Sequence, residues 1–394
     1  MKKFVSALLA GVMCVGLTAC GSSSSSTSTA STATAAASTA AAAADTTDMK
    51  VAMITDYGDI TDQSFNQTTY EASKSYCEEN SIDFTYYKPA GDSTAERVAM
   101  IDKAVADGYN VIVMPGYAFA EAIVETAPEY PDVKFVALDV SEYDLTTAAG
   151  TDTYEQDNVY SAVYQEELAG YMAGYAAVKM GYKKLGFLGG MAVPAVIRYG
   201  SGYIQGAESA ANELGLTDVE INYVYGGQFF GDADITAVMD TWYQGGTEVV
   251  FACGGGIYTS AAEAAVKTGG KIIGVDVDQA ATIDGAYGEG ITVTSAMKGL
   301  SATVNTLLSA IHDGKWDQYK GQVQNLGLVS GDDPTLNYVQ LPMDTTVWND
   351  TFTQDDYKQL VSDMYSGKIT VDNSIDALPT TTAVKVNDQG TIKG

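Results

Sequence analysis

The 394-residue chain sets 21 Lys and Arg against 50 Asp and Glu, a formal net charge of −29, and holds one His and four Cys. A polyanion whose only arginines are Arg97 and Arg198 repels phosphate backbones and has few groups to clamp them, so nucleic acid is excluded as a partner. The lone imidazole, His312, ends a helix-like run before Asp313 and Gly314, where a C-terminal cation or surface residue fits better than a catalytic base or a metal ligand.

Met1-Lys2-Lys3 followed by an apolar stretch of 14 residues, Phe4 to Leu17, is too short to span a bilayer and reads as a secretory signal over residues 1–19. Leu17-Thr18-Ala19-Cys20-Gly21 resembles a bacterial lipoprotein processing site, which implies that Cys20 becomes the lipidated first residue of the mature chain. Two or more acyl chains, palmitate among them, anchor a protein stably. From there to residue 48 the composition is nearly all Ser, Thr and Ala, which cannot bury enough apolar surface to order itself and is expected to be a tether. The chain is therefore expected outside the cytoplasm, anchored to the outer face of the cell membrane. Cys14 leaves with the signal, and Cys77 and Cys253 are expected as buried free thiols.

Past the tether, short runs rich in Val and Ile alternate with amphipathic stretches. Val51–Ile54, Asp83–Tyr87, Val111–Met114 and Val133–Leu138 read as strands, with helices over Ser64–Glu79, Thr94–Ala106 and Ala118–Pro128 between them. A second set follows: strands at Leu185–Leu188, Val219–Tyr225, Val249–Ala252 and Ile272–Val275, with helices over Ala195–Leu214, Ile235–Gln244 and Ala261–Thr268. Ile291–Thr294 and a helix over Ala296–His312 come next. Continuous apolar strands separated by helices predict parallel sheets covered on both faces, so the fold class is α/β with two doubly wound lobes. The first lobe is expected to comprise residues 49–163 and 292–325, the second 164–291 and about 345–394, joined by a three-segment hinge near 163, 292 and 325–345.

In open parallel sheets ligands lie beyond the carboxyl ends of the strands. Those ends read Thr55-Asp56-Tyr57-Gly58, Pro115-Gly116-Tyr117, Asp139, Gly189-Gly190-Met191, Cys253-Gly254-Gly255-Gly256 and Asp276-Val277-Asp278-Gln279. Carboxylates there accept hydroxyl protons, aromatics such as Tyr117 stack on a flat ring, and a glycine such as Gly254 lets backbone come close. These residue types suit a neutral polyol-bearing ring. Asp56, Asp139 and Asp276 would repel a phosphate dianion, while a sugar fits them as well as a nucleoside does.

Several segments together resemble the basic membrane protein family of ABC-transporter substrate-binding lipoproteins, whose members include purine nucleoside receptors. They are Val51-Ala52-Met53-Ile54-Thr55-Asp56 with Asp62-Gln63-Ser64-Phe65-Asn66-Gln67, Tyr130-Pro131-Asp132-Val133-Lys134-Phe135-Val136, Glu166 to Gly174, Gly186-Phe187-Leu188-Gly189-Gly190, and Gly274-Val275-Asp276-Val277-Asp278-Gln279. The resemblance implies a type I periplasmic-binding-protein fold, a monomer that captures a small molecule and delivers it to an ABC permease and its ATPase, with no cofactor. It implies base contacts at Asp56 and Asn66, ribose contacts at Asp276 and Lys298, a further polar contact at Asp139, and Phe65 and Phe230 as rings that sandwich the base. Extra residues in Tyr225-Gly226-Gly227-Gln228-Phe229-Phe230 leave open which of the two Phe residues faces the ligand, and the stretch beyond about 330 is given no ligand role.

Catalytic readings are weaker. Asp276 and Asp278 as a glycosidase pair would need the strand to persist, and the Gly254–Gly256 run has no following Lys-Ser or Lys-Thr to make a phosphate loop. Glu166 to Gly174, with small residues at 169, 170, 173 and 174, reads as helix-to-sheet packing. A surface sensor or interaction lipoprotein on the same scaffold is the alternative function.

Overall fold

The computed structural model describes residues 48–393; the signal segment, Cys20 and the tether up to residue 47 lie outside the described residues. The chain alternates β1 (Lys50–Ile54), α1 (Phe65–Glu79), β2 (Asp83–Tyr87), α2 (Thr94–Ala106), β3 (Val111–Pro115), α3 (Ala120–Thr126), β4 (Lys134–Leu138), α4 (Glu142–Ala149) and β5 (Val159–Tyr164). The alternation then repeats through α5 (Glu166–Lys179), β6 (Lys184–Gly189), α6 (Pro194–Leu214), β7 (Val219–Tyr225), α7 (Ala233–Gln244), β8 (Val249–Cys253), α8 (Tyr258–Ala265), β9 (Lys271–Asp276), α9 (Ala280–Tyr287) and β10 (Thr292–Lys298). It finishes with α10 (Leu300–His312), β11 (Gln322–Leu326), the short β12 (Val339–Gln340), α11 (Gln354–Tyr365) and β13 (Val384–Thr391).

These strands form two sheets, ordered β11-β5-β4-β3-β1-β2 and β12-β10-β9-β8-β6-β7-β13. Every pairing is parallel except β10 with β12. Side-chain alternation divides each sheet between two layers. In the first sheet Ala52, Ile54, Ile112, Met114 and Phe135 face α2 and α3, while Val51, Met53, Val113 and Leu138 join the core that includes Ala72 and Cys77 of α1. In the second, Leu188, Val250 and Ala252 meet Ile235, Met239 and Ala261 of α7 and α8, whereas Phe187, Tyr223 and Phe251 pack with Tyr199 and Tyr203 of α6. Both faces of both sheets are thus buried, as their unbroken apolar runs require.

One expectation needs correction and one needs extending. Thr292–Lys298, assigned to the first lobe, is a strand of the second: Ala296 and Met297 pair with Val275 and Asp276 of β9, and Met297 and Lys298 with Gln340 and Val339 of β12. Its pairing overrides the helical character of Ala296 to Lys298, so α10 begins only at Leu300 and the crossing falls near Gly299. The helix α5, expected to pack on a sheet through its small residues, also sets its glycines against a second helix. A methyl on Gly170 would collide with the Tyr199 carbonyl of α6, and one on Gly202 of α6 with the Glu167 carbonyl of α5, so the two backbones touch reciprocally. Cys77 and Cys253 are buried free thiols.

Candidate ligand-binding site

Between the lobes, at the carboxyl ends of the strands, lies a cavity of about 740 Å³, within the size range of small-molecule sites. Asp56, Phe65, Asn66, Tyr117, Asp139, Phe230, Gly254, Asp276 and Lys298 all line it.

The first lobe supplies hydrogen-bonding groups. Asp62, not Ser64, caps α1: its carboxylate accepts the amides of Ser64 (3.0 Å), Asn66 (2.9 Å) and Gln67 (3.0 Å). The Ser64 hydroxyl is thereby free to donate across the cleft to Asp276 Oδ2 at 2.6 Å. Asn66 Nδ2 donates to Asp62 Oδ2 at 3.3 Å, while Asn66 Oδ1 is buried without a partner. Asp56 Oδ1 accepts the amides of Tyr57 and Gly58 at 2.6 and 2.7 Å, and neither bond engages Oδ2. Burial pushes the carboxyls of Asp56 and Asp62 above the ordinary range despite these bonds.

At the other end of the cavity sits Lys298. Its Nζ lies 2.6 Å from Asp139 Oδ2, 3.4 Å from Glu166 Oε1 and 3.7 Å from Asp276 Oδ1, and 4.7 Å from the centroid of Phe65. Burial alone would discharge the amine, but Asp139, Asp276 and Glu166 outweigh it and raise the pKa, so the ammonium persists. Burial pushes Asp139 up to about 6 against the pull of Lys298, and its Oδ1 has no partner. Asp139 and Asp276 follow or end β4 and β9 with left-handed backbones, φ 62° and 64°, a strained conformation that recurs at ligand sites. Glu166 also accepts from Arg198 Nε at 2.7 Å.

The aromatic wall differs from expectation. Tyr57 and Phe229 face one another across the cleft, ring centroids 6.4 Å apart and planes at 31°. Phe230 is 62% exposed at the rim. Phe65 lines the cavity with its ring beneath the Lys298 ammonium. Gly254 seats the Phe229 ring, since a methyl there would stand 2.9 Å from Phe229 Cδ1. The sequence reading left Phe229 and Phe230 open and missed Tyr57, Asp62 and Glu166 as site residues. Tyr57 and Asp62 adjoin residues it chose, while Glu166 was hidden at the head of a small-residue helix. The cleft is closed in this structure: besides Ser64 and Asp276, Gln279 Nε2 donates to the Gln63 carbonyl at 3.0 Å and the Tyr57 hydroxyl to Met191 Sδ at 3.3 Å.

Two doubly wound lobes closing on a polar and aromatic cavity define a solute-binding protein. Residues 49–363 match the family of PnrA-like ABC transporter substrate-binding proteins (Bmp), and the chain belongs to that family. It is 28% identical over 343 residues to the ABC transporter nucleoside-binding protein BmpA of Lactococcus lactis, covering 82% of this chain and 89% of that one. It is 25% identical over 288 residues to an uncharacterized lipoprotein of Pyrococcus furiosus, covering 72% and 69%. The crystal structure of an ABC transporter solute-binding protein from Aeropyrum pernix is similar in fold, with a TM-score of 0.63 at 21% identity, over 82% of this chain and 87% of that one. The family is one of solute-binding proteins, not enzymes. No helix among the described residues is long and apolar enough to cross a membrane.

Proposed function

We propose that the protein is the receptor of an ABC importer, a monomer held at the outer face of the cell membrane by lipid on Cys20, that binds a purine nucleoside and delivers it to the permease. The observation that carries this reading is the division of one cavity into an aromatic end, Tyr57 with Phe229, and a carboxylate end anchored on Lys298. A flat base stacks on the two rings, and its polar edge meets Asp56 Oδ2 and the unpartnered Asn66 Oδ1. Vicinal ribose hydroxyls donate to the carboxylates of Asp139 and Asp276, with Lys298 donating to a ribose oxygen. Lys298 and Arg198 are both engaged by carboxylates, so a phosphate group would meet uncompensated negative charge, which favours a nucleoside over a nucleotide. The nucleoside-binding relative supports the same class of ligand.

A thermal-shift series on residues 46–394 tests this reading. Inosine, guanosine or adenosine at a hundredfold excess over its dissociation constant should stabilise the fold by about 2.7 kcal/mol, while free bases and ribose leave it unmoved. Asp276→Ala should abolish the response. A shift with only a sugar or a vitamin would sink the ligand assignment, and no shift at all would favour a sensor without cargo.

A further inference from the structure

The matched segment ends at 363, and beyond it the chain returns to the ligand site. β13 runs parallel to β7 from Val384 opposite Val219 to Asp388 opposite Tyr223. That ladder alone covers the exposed edge of β7. The strand nevertheless bulges between Asp388 and Thr391, where Gly390 is left-handed at φ 69°, and continues past the end of β7. Trp242 Nε1 donates to Gln389 Oε1 at 3.1 Å, and the Ile392 amide donates to the Tyr225 carbonyl at 2.8 Å. Ile392 packs on the core formed with α7 and α8. The Lys393 carbonyl passes so close to Gly227, itself at φ 84°, that a methyl there would collide with it. Lys393 Nζ pairs with Asp232 and lies 3.4 Å from Asp234 Oδ2.

Asp232 is the hub of the loop 226–232 that carries Phe229. Its Oδ1 accepts the amides of Asp234 and Ile235 at 3.0 and 3.1 Å and caps α7. Its Oδ2 accepts from Gln228 Nε2 at 2.9 Å as well as from Lys393, and Gln228 also donates to the Phe230 carbonyl at 2.9 Å. The bond from Lys393 holds the Asp232 carboxyl down to about 2. On its other side the loop is fixed where the Gly256 amide donates to the Phe229 carbonyl at 2.9 Å.

We propose that residues 389–393 form a clasp that fixes the 226–232 loop, and with it the Phe229 ring, in the geometry that stacks on the ligand, which makes Lys393 a positioning residue of the site. The clasp of the loop stands by itself; its effect on ligand rests on the nucleoside reading. The test compares the full chain with Lys393→Met, Lys393→Arg and a chain lacking 391–394, with inosine as probe. Without ligand, hydrogen exchange at the amides of Gly227 to Gly231 should rise about tenfold in the Met variant and the shortened chain, stay near the parent in Lys393→Arg, and not change in α5 and α6. Inosine should then dissociate about tenfold faster from the same two variants, with the melting temperature of the unliganded protein nearly constant. Unchanged exchange in the loop overturns the clasp, whatever inosine does. Faster exchange with an unchanged dissociation rate overturns the positioning role. If inosine fails to bind the parent chain, the nucleoside reading falls, and the exchange data still decide the clasp.

Discussion

The two sheets repeat one plan: β5-β4-β3-β1-β2 in the first is matched by β10-β9-β8-β6-β7 in the second. Corresponding positions carry corresponding backbone. Asp139 and Asp276 stand left-handed at the carboxyl end of the fourth strand of each alternation, and Gly116 and Gly254 follow the third with φ 125° and 151°. What differs is what each copy holds. Asp139 keeps one oxygen on Lys298 and the other without a partner, whereas Asp276 Oδ2 accepts from Ser64 of the opposite lobe and so latches the two lobes. The sheet edges differ too. β2 ends the first sheet, while β7 is covered by β13, beside the loop that carries Phe229. The proposed function rests on the places where the two copies depart from one another.

The departure that should break the molecule most is loss of the charge both lobes share. Lys298→Met leaves Asp139, Glu166 and Asp276 facing one another in a buried site. Removing one partner of a buried ionic network costs about 3–5 kcal/mol, so urea unfolding should shift by that amount and inosine binding should vanish. An unchanged midpoint would mean that solvent, not Lys298, compensates the carboxylates.

A pH series tests Asp139 next. A carboxyl raised in the fold to about 6 binds its proton more tightly folded than unfolded, so its contribution to stability is full below 3.8 and is lost as pH rises from there through about 6. Binding runs the other way, because a ribose hydroxyl needs the ionised acceptor. Inosine affinity should fall about tenfold per unit as pH drops below the Asp139 pKa, and Asp139→Asn should weaken binding at neutral pH and flatten that slope. A slope that survives the substitution assigns the titration to another group. Ser64→Ala tests the latch: loss of one hydrogen bond from the closed form should weaken inosine by about 1 kcal/mol in calorimetry, without moving the pH slope. No loss would show that closure does not depend on Asp276 being held.

Much of this was legible in the residues. Apolar runs such as Val111–Met114 and Val249–Ala252 are strands because nothing else buries them on both faces, and the ends of those strands led to a single cavity. The short helices α4 and α9 bury one residue each, Leu145 and Ile283, and so carry no face pattern to read. β10 was cut short because Ala296 to Lys298 favour helix locally, and only partners distant in sequence, β9 and β12, hold them extended. β13 is mostly exposed, with Val384 its one buried residue, so its place beside β7 is written in backbone bonds rather than in hydrophobicity.

The smallest expected effect is at Phe230, one of two adjacent rings that no periodicity could tell apart. Phe229 packs over Gly254 and faces Tyr57, so Phe229→Ala should cost about 1–3 kcal/mol of nucleoside binding, the usual range for loss of a base-stacking ring. Phe230 contributes its backbone instead: its carbonyl accepts from Gln228, and it bridges to Gly256, while its ring is largely in solvent. Phe230→Ala keeps that backbone and should change inosine affinity by less than about 0.5 kcal/mol. Equal losses in calorimetry would mean that both rings close on the ligand and that the loop moves when nucleoside binds. A loss at Phe229 alone would mean that the second lobe presents one fixed ring to Tyr57, with the loop held still by what lies behind it.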